Sequence, residues 1–502
     1  MLGLRVLSSK HIRELDAYTI RTEPVTSINF MERASRAFVD WFALRVEATK
    51  TVGVVCGAGN NGGDGLAIAR MLHEWSYPVK VWIVEGEVSP SVDFTINLER
   101  LPKTIHKILL RTETDEISFE GCDVIIDAVF GSGLSRPPAG LYARVIDSVN
   151  GSSALRIAVD IPSGLMADAP SSGSIIRADY TVSFQLPKLA FFLPESYAYT
   201  GEWVLVDIGL NKDFIRSAEA RHFYVRLKDV RKMIKPRGKF DHKGTFGHAL
   251  LIAGSYGKMG AAVLAARAAL RAGLGLLSVH IPGSGYEIMQ SAVPEAMVHV
   301  DSQPQWFSSV PDLTPYSVLG IGPGLGQNES TRAALVKTLE TFEKPLVLDA
   351  DALNIIGAHR DMLKLIPPGS ILTPHPKEFE RLAGRWENEF ERLEMLRQLA
   401  VTLKAIVVLK GAYTAIADEK GLIYFNSTGN PGMATGGTGD VLTGLLTSLL
   451  AQKYTSVEAA VIGVFIHGLA GDLGVLECGM EGLIASDVVD NIPAAFQKIA
   501  RK

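Results

Sequence analysis

The stretch "VVCGAGNNGGDGLAIARML", Val54–Leu72, decides how the first half of the chain folds. An apolar, β-rich run stops at Gly57, and helical spacing of apolar residues takes over near Leu66. Between them stand Gly57, Gly59, Gly62, Gly63 and Gly65, with Asn60, Asn61 and Asp64. A strand that runs through a glycine-rich turn into a helix opens a strand–helix–strand unit. Glycines at such a turn let a ligand approach backbone N–H groups closely. Asp64 stands where that helix is expected to start, as a capping residue.

Working outward, "TVGVVC", "VKVWIV", "DVIIDAVF" and "LRIAVDIPSG" are short β-rich runs, with helical segments near Asp64–Glu74 and Ala139–Val149. Ile28, Met31, Ser35, Phe38 and Phe42 keep helical spacing, so a helix there buries one face. The alternation predicts a mostly parallel sheet covered on both faces. It weakens after "VDIGLNKDF" and gives way to the basic stretch "RLKDVRKMIKPRGKFDHKGTFG", which puts a boundary within 212–240 and divides the chain into 1–220 and 221–502. A second alternation follows. Strand-like "GHALLIAG" precedes the small-residue helix "MGAAVLAARAALRAG", "YTAIAD" and "GLIYFN" suggest a hairpin around Glu419–Lys420, and the chain is helical from Asp440 onward.

The totals narrow the class. The 502 residues are 47% hydrophobic and 21% charged, an ordinary globular balance. A net charge of −4 supplies no overall basic field for nucleic acid or an anionic membrane. Cys56, Cys122 and Cys478 are spaced for neither a disulfide framework nor a zinc site, so a reduced, cytoplasmic setting is expected. The N-terminal stretch lacks the long apolar core of a signal peptide. The longest apolar run, Ala459–Ala470, contains His467, ends at Asp472 and falls short of a bilayer span.

Gly57, Gly59 and Gly62 fit the dinucleotide pattern G-x-G-x-x-G, a weak signal without a clear ribose-binding acid about 20 residues on. Glu85 is the nearest candidate and lies late. Two further strand ends carry polar groups. "IIDAVFGSGLSRP" places Asp127 before a second glycine-rich loop, and "AVDIPSGL" places Asp160, Pro162 and Ser163 after another strand. In an open parallel sheet such ends converge on one crevice, where the Asn61 amide, the Asp127 carboxylate and Ser163 could surround a hard cation. The alternative is three tight turns with capping residues.

In this order and spacing, "NNGGDG", "DAVFGSG" and "VDIPSG" resemble the NAD(P)H-hydrate epimerases over residues 1–215. The resemblance implies potassium held by Asn61, Asp127 and Ser163. It implies substrate contacts from Asn60, Asn61, Gly62, Gly63 and Asp64, from Gly131, Ser132, Gly133, Leu134, Ser135, Arg136 and Pro137, and from Asp160, the acid–base candidate.

The second half holds a sharper signal. In "NPGMATGGTGDVLTGLLTSLL", Asn430–Leu450, Gly436, Gly437 and Gly439 precede a clear helix starting near Asp440. Amides at a helix N-terminus bind anions, and a carboxylate beside them can take a proton during phosphoryl transfer. A helix cap with a tight turn is the plainer alternative. "AGSYGKMGAA", "GPGLG", "DADALN", "TPHPKE", "KGAYT" and "GGTGDVLTG" together resemble the ADP- or ATP-dependent NAD(P)H-hydrate dehydratases of the ribokinase-like superfamily, over residues 230–500. The resemblance implies that Ala261, Gly324, His375 and Asp440 contact the hydrated nucleotide and that Lys410, Gly411, Ala412, Tyr413, Thr414 and Gly439 contact the adenine nucleotide. None of these is a Walker loop.

The expected fold is thus an N-terminal Rossmann-like three-layer sandwich and a C-terminal ribokinase-like α/β domain. The expected activity is repair of hydrated NADH and NADPH (NADHX and NADPHX): R–S epimerisation in the first domain, then ADP-dependent dehydration of the S form in the second. Asp160 and Asp440 are the expected catalytic residues, magnesium accompanies the nucleotide, and the resemblance suggests a homo-oligomer. Two rivals stay open: a ribokinase-like vitamin or sugar kinase, and a first domain that only binds nucleotide or a partner.

Overall fold

A computed structural model describes residues 2–86 and 89–501. The chain folds as two compact units, Arg5–Ala220 and, with the extreme N-terminal residues, Arg221–Lys502.

The first unit is built on a 7-stranded sheet, parallel throughout, whose strands lie in the chain order 3-2-1-4-5-6-7. The first strand, Val52–Cys56, lies between Val79–Val84 and Val124–Ala128. Val54 and Ile126 face one apolar core and Val55 and Ile125 the other, so helices cover both faces. Strand order reverses between Val52–Cys56 and Val124–Ala128, which is where open parallel sheets leave a crevice beyond their C-terminal ends.

The helix after the first strand begins earlier than Asp64. It spans Asn60–Glu74, with Gly59 as its N-cap. The reason lies in packing. A Cβ on Gly57 would fall 2.2 Å from the Val129 carbonyl oxygen, one on Gly62 1.7 Å from the Gly57 carbonyl oxygen, and one on Gly65 2.6 Å from the Ala128 methyl group. These glycines seat the helix against the strand ends. Only Gly59 in this run has open space beyond it, so most of the glycine content answers to the fold rather than to a ligand.

The second unit has an 11-stranded sheet. His248–Ile252, Leu276–Ile281, Met297–Val300, Val318–Ile321, Val347–Leu348, Ile371–Leu372 and Ile406–Leu409 are parallel, and Ala415–Ala417 and Ile423–Asn426 add an antiparallel hairpin. The Asp418 carboxylate closes the hairpin turn by accepting from the backbone N–H groups of Lys420 and Leu422. Helix Thr438–Ala451 lies on helix Met259–Arg271 at backbone contact, because a Cβ on Gly444 would meet the Ala265 carbonyl oxygen at 2.1 Å.

The apolar run Ala459–Ala470 belongs to a longer helix than its sequence suggested. Ser456–Gly482 has 27 residues with a break at Gly479, φ 75°, a mean hydropathy of 1.8 over its most apolar window, and length enough to cross a membrane. That window is 72% buried inside the protein, the behaviour of a core helix.

Candidate functional sites

In the first unit, the loops after the fourth and fifth strands are tied through one carboxylate. Asp127 Oδ2 accepts from Ser163 N at 2.7 Å, and its Oδ1 accepts from Ser163 Oγ at 2.6 Å and Val129 N at 3.2 Å. Ser163 Oγ in turn accepts from Phe130 N at 2.8 Å. Burial still pushes the Asp127 carboxyl up to about 6. The buried Asn61 amide nitrogen has no partner among the described residues, and a Cβ on Gly131 would lie 3.4 Å from that carboxamide. A carboxylate, a hydroxyl and an amide free to turn its oxygen inward suit a hard monovalent cation.

Beside this knot opens a cavity of about 1300 Å³. Asn60, Asn61, Asp64, Asp160 and every residue from Gly131 to Pro137 line it. Gly62 and Gly63 lie beneath the wall: Gly62 abuts Gly57, and Gly63 lies under the Met31 thioether and donates its N–H to Gly59. Asp127 and Ser163 are likewise buried below it.

Asp160 directly follows strand Leu155–Val159 in a left-handed conformation, φ 66°, that non-glycine residues seldom adopt. Its Oδ1 accepts from the Lys188 ammonium, from Phe184 N at 3.1 Å and from Ser183 Oγ at 3.3 Å. Lys188 is 1% exposed and also donates to Ser183 Oγ at 2.8 Å. Burying an ammonium is costly unless a carboxylate meets it, so this pair fixes both side chains at the cavity. Asp64 is partly buried, and desolvation together with the Asp160 and Asp16 charges holds its carboxyl well above the usual range.

In the second unit the helix starts at Thr438, two residues before Asp440, and its N-cap Gly437 has φ 93°. Asp440 therefore lies inside the first helical turn, in line with amides that have no partner in the helix. Burial, then the nearby Asp349 charge, push its carboxyl up to about 7, with Lys410 acting in the opposite direction. Lys410 has a carboxylate partner of its own: its Nζ lies 2.8 Å from Asp349 Oδ1. Asp349 is buried, and its Oδ2 accepts from Thr443 Oγ1 at 2.7 Å. The next residue, Ala350, has φ 48°.

The other expected residues fall around this centre. A Cβ on Gly439 would stand 3.5 Å from Lys410 Nζ, and one on Gly324 would stand 3.1 Å from the Ala261 methyl group. Gly411 to Thr414 form a turn in which Thr414 Oγ1 both accepts from Gly411 N at 3.3 Å and donates to Gly411 O at 3.0 Å, with Ala412 and Tyr413 between them. His375 has a local task as well: its Nδ1 accepts from Lys377 N and Glu378 N and caps helix Pro376–Ala383. Desolvation, then Lys410, hold its imidazole below the usual histidine range, so at neutral pH the ring is uncharged, with its proton on Nε2.

The residues that sequence reasoning missed are Asp16, Lys188 and Asp349. Asp349 stands in the quoted "DADALN", where its glycine-free context hid it. Asp16 and Lys188 carry no local motif. Among the described residues, no group of three or more His, Cys, Asp or Glu side chains is arranged to hold a metal ion.

With this geometry in view, comparison with known proteins is specific. The family described as YjeF-related protein N-terminus matches residues 27–190, and that described as NAD(P)H-hydrate dehydratase matches residues 249–494. The chain is 34% identical over 516 residues to the bifunctional NAD(P)H-hydrate repair enzyme of Moorella thermoacetica, covering 98% of this chain and 97% of the relative. The Escherichia coli K12 protein of the same description is 34% identical over 442 residues, covering 88% and 84%. A solved ribokinase-like superfamily protein from Enterococcus faecalis V583 matches 57% of this chain and 99% of its own, with 27% identity and a TM-score of 0.51. The ADP/ATP-dependent NAD(P)H-hydrate dehydratase of Bacillus subtilis, co-crystallized with ATP/Mg2+, is 34% identical over 55% of this chain and 97% of its own, with a TM-score of 0.48.

Proposed function

The chain belongs to the bifunctional NAD(P)H-hydrate repair enzymes, and on that premise we propose how its two units divide the work. The first interconverts the R and S hydrates of NADH and NADPH; the second dehydrates the S form, consuming ADP and releasing AMP and phosphate. Full-length similarity to enzymes of that description is the observation that carries this reading.

The chemistry explains the need for ADP. Hydroxide is a poor leaving group. Transferring the terminal phosphoryl group of ADP to the hydrate's hydroxyl turns it into phosphate, which departs with the C–O electron pair and restores the ring double bond after loss of a proton. In this reading Asp440 takes the hydroxyl proton as the phosphoryl group arrives. The free N–H groups at Gly436–Gly439 face the charge that develops on that group. Lys410, held by Asp349, whose other oxygen accepts from Thr443, presents its ammonium to the nucleotide phosphates.

In the first unit Asp160 exchanges protons with the hydrate, and residues 131–137 line the cavity that holds it. Asn61, Asp127 and Ser163 would hold potassium, which would supply positive charge where the two loops meet. Magnesium would enter with the nucleotide phosphates. Cytoplasmic placement, which rests on the three widely spaced cysteines, and self-association, which rests on the family resemblance, belong to the same proposal.

Mixing the protein with ADP and the hydrate of NADH tests the reading. The absorbance of reduced nicotinamide should return, with one AMP per molecule restored, and the R form should be consumed as completely as the S form. A ribokinase-like kinase would use up nucleotide and leave the absorbance flat. A first unit that only binds would leave the R form behind, apart from its slow spontaneous exchange.

A further inference from the structure

The cavity of the first unit contains a carboxyl with no role in the account above. Asp16, on helix Ser9–Thr22, lines the same cavity as Asp160 and Lys188 but comes from outside the sheet. Asp160 is locked by Lys188, Ser183 and Phe184. The Asp16 side chain, by contrast, has no hydrogen bond or ion pair among the described residues, and only part of it is exposed. Burial and the Asp160 charge both disfavour its ionised form, Lys188 acts against them, and the carboxyl is pushed up to about 7. Of the carboxyls that line this cavity, Asp160 is paired with a buried ammonium, Asp64 is held by its hydrogen bond from Ser35, and Asp16 is left free, and a paired and a free carboxyl side by side are the arrangement that separates an acid from a base.

The reaction calls for two such groups. Water adds to an enamine with its proton on the carbon remote from nitrogen and its hydroxyl on the carbon beside nitrogen. Inversion of that carbon by hydroxyl exchange has the hydroxyl leave from one face and water return on the other. One group must protonate the departing oxygen while another takes a proton from the incoming water. A lone carboxylate held rigidly at a strand end serves one face.

Building on the epimerase reading, we propose that Asp16 is the second acid–base residue of the first unit, acting on the opposite face of the bound hydrate from Asp160. Asp16 gives its proton to the hydroxyl as the C–O bond breaks, and the ring nitrogen lone pair forms the C=N bond of an iminium ion. A water on the Asp160 side then adds to that carbon, the C=N electron pair returns to nitrogen, and the water's proton passes to Asp160. Water lost and water gained balance. The two carboxyls have exchanged protonation states, which sets them for the reverse conversion.

The test uses the full-length protein and separated R and S hydrates, with exchange followed chromatographically. Asp16→Asn should lower kcat for exchange at least 100-fold with KM within about threefold, the size expected for loss of a general acid–base group. Asp16→Glu should recover a measurable part of it. Exchange by the unaltered protein should fall as pH rises through about 7, and that limb should be missing from the residual activity of Asp16→Asn. ADP-driven conversion of pure S hydrate by the same variant should match the unaltered protein, which shows that the second unit is intact, and the KM for exchange, within threefold, shows that the first unit is folded. Exchange by Asp16→Asn within threefold of normal overturns the proposal, as does a loss confined to KM. An unaltered protein that fails to speed exchange over buffer overturns the epimerase reading instead, and this inference with it.

Discussion

The pH dependence of dehydration tests the electrostatics of Asp440 most directly. A base must be ionised to accept a proton, and Asp440 is pushed up to about 7 by burial and by Asp349. At pH 6 roughly a tenth of such a carboxyl is ionised, and at pH 8 roughly nine-tenths, so kcat/KM for the S hydrate should rise about tenfold between them. An unshifted aspartate would be ionised at both and give a flat profile. The neighbours predict how the limb moves. Lys410 favours the charged form, so Lys410→Met should displace the limb to higher pH, whatever it does to the rate. Asp349 disfavours it, so Asp349→Asn should displace the limb to lower pH; freeing the Lys410 ammonium from its 2.8 Å partner works in the same direction. Asp440→Asn should remove the limb and lower kcat by about 100- to 10,000-fold. Absorbance of the reduced nicotinamide, recorded at low substrate so that the free enzyme's ionisation is read, gives all four profiles. A flat profile, or limbs that shift the same way in both neighbour variants, would refute the reasoning.

Other consequences follow from named contacts. Lys188→Met strands the Asp160 carboxylate in a buried position; breaking such a pair costs about 3–5 kcal/mol, so urea denaturation should show a large loss in the first unit and epimer exchange should disappear. Gly62→Ala puts a methyl group 1.7 Å from the Gly57 carbonyl oxygen and should prevent the first unit from folding stably, whereas Gly59→Ala, with open space beyond it, should leave thermal stability unchanged and weaken hydrate binding; equal stability of the two variants would contradict the packing account. If Asn61, Asp127 and Ser163 hold potassium, exchange in the unaltered protein should rise on replacing lithium by potassium, and Asn61→Ala should abolish that response; a rate indifferent to the cation in both would remove the ion from the proposal.

What the sequence disclosed, and what it hid, follows from the range of the interactions. Strand–glycine–helix order was legible because β-rich runs and helical spacing are local, and Asp127 and Asp160 could be placed because strand ends of a parallel sheet share an edge. The run Gly57–Gly65 was misread in part. Glycine is a poor helix former, so Asn60–Gly63 looked like loop, yet only residues without a side chain let Gly62 of the first helical turn sit on the Gly57 carbonyl and Gly57 on that of Val129. The partners of the catalytic candidates were out of reach. Lys188 meets Asp160 across 28 residues and Lys410 meets Asp349 across 61, with strands in between that set the distance. His375 shows the reverse: its prolines marked it as special, and its ring nitrogen turns out to cap a helix.

The two sites share a pattern of charge that neither sequence motif contains. Each couples a lysine to one carboxylate, Lys188 to Asp160 and Lys410 to Asp349, and leaves a second carboxyl, Asp16 or Asp440, without such a partner and pushed up to about 7. The roles are divided differently. In the first unit the paired carboxylate is itself the candidate for proton exchange, since epimerisation needs groups of opposite protonation state at once. In the second, on the function proposed, the pair would hold an ammonium for phosphates and the free carboxyl alone would face the hydroxyl. This arrangement costs stability. For each free carboxyl the folded-state pKa lies above the unfolded 3.8, so the folded form binds protons more tightly, and stability should fall as pH rises from near 4 to near 7 and then level off. Asp440→Asn should therefore raise the unfolding temperature of the second unit at pH 8 but not at pH 4, while abolishing turnover. Equal gains at both pH values would mean that Asp440 is not held ionised against its surroundings, and its assignment as the base would lose its physical ground.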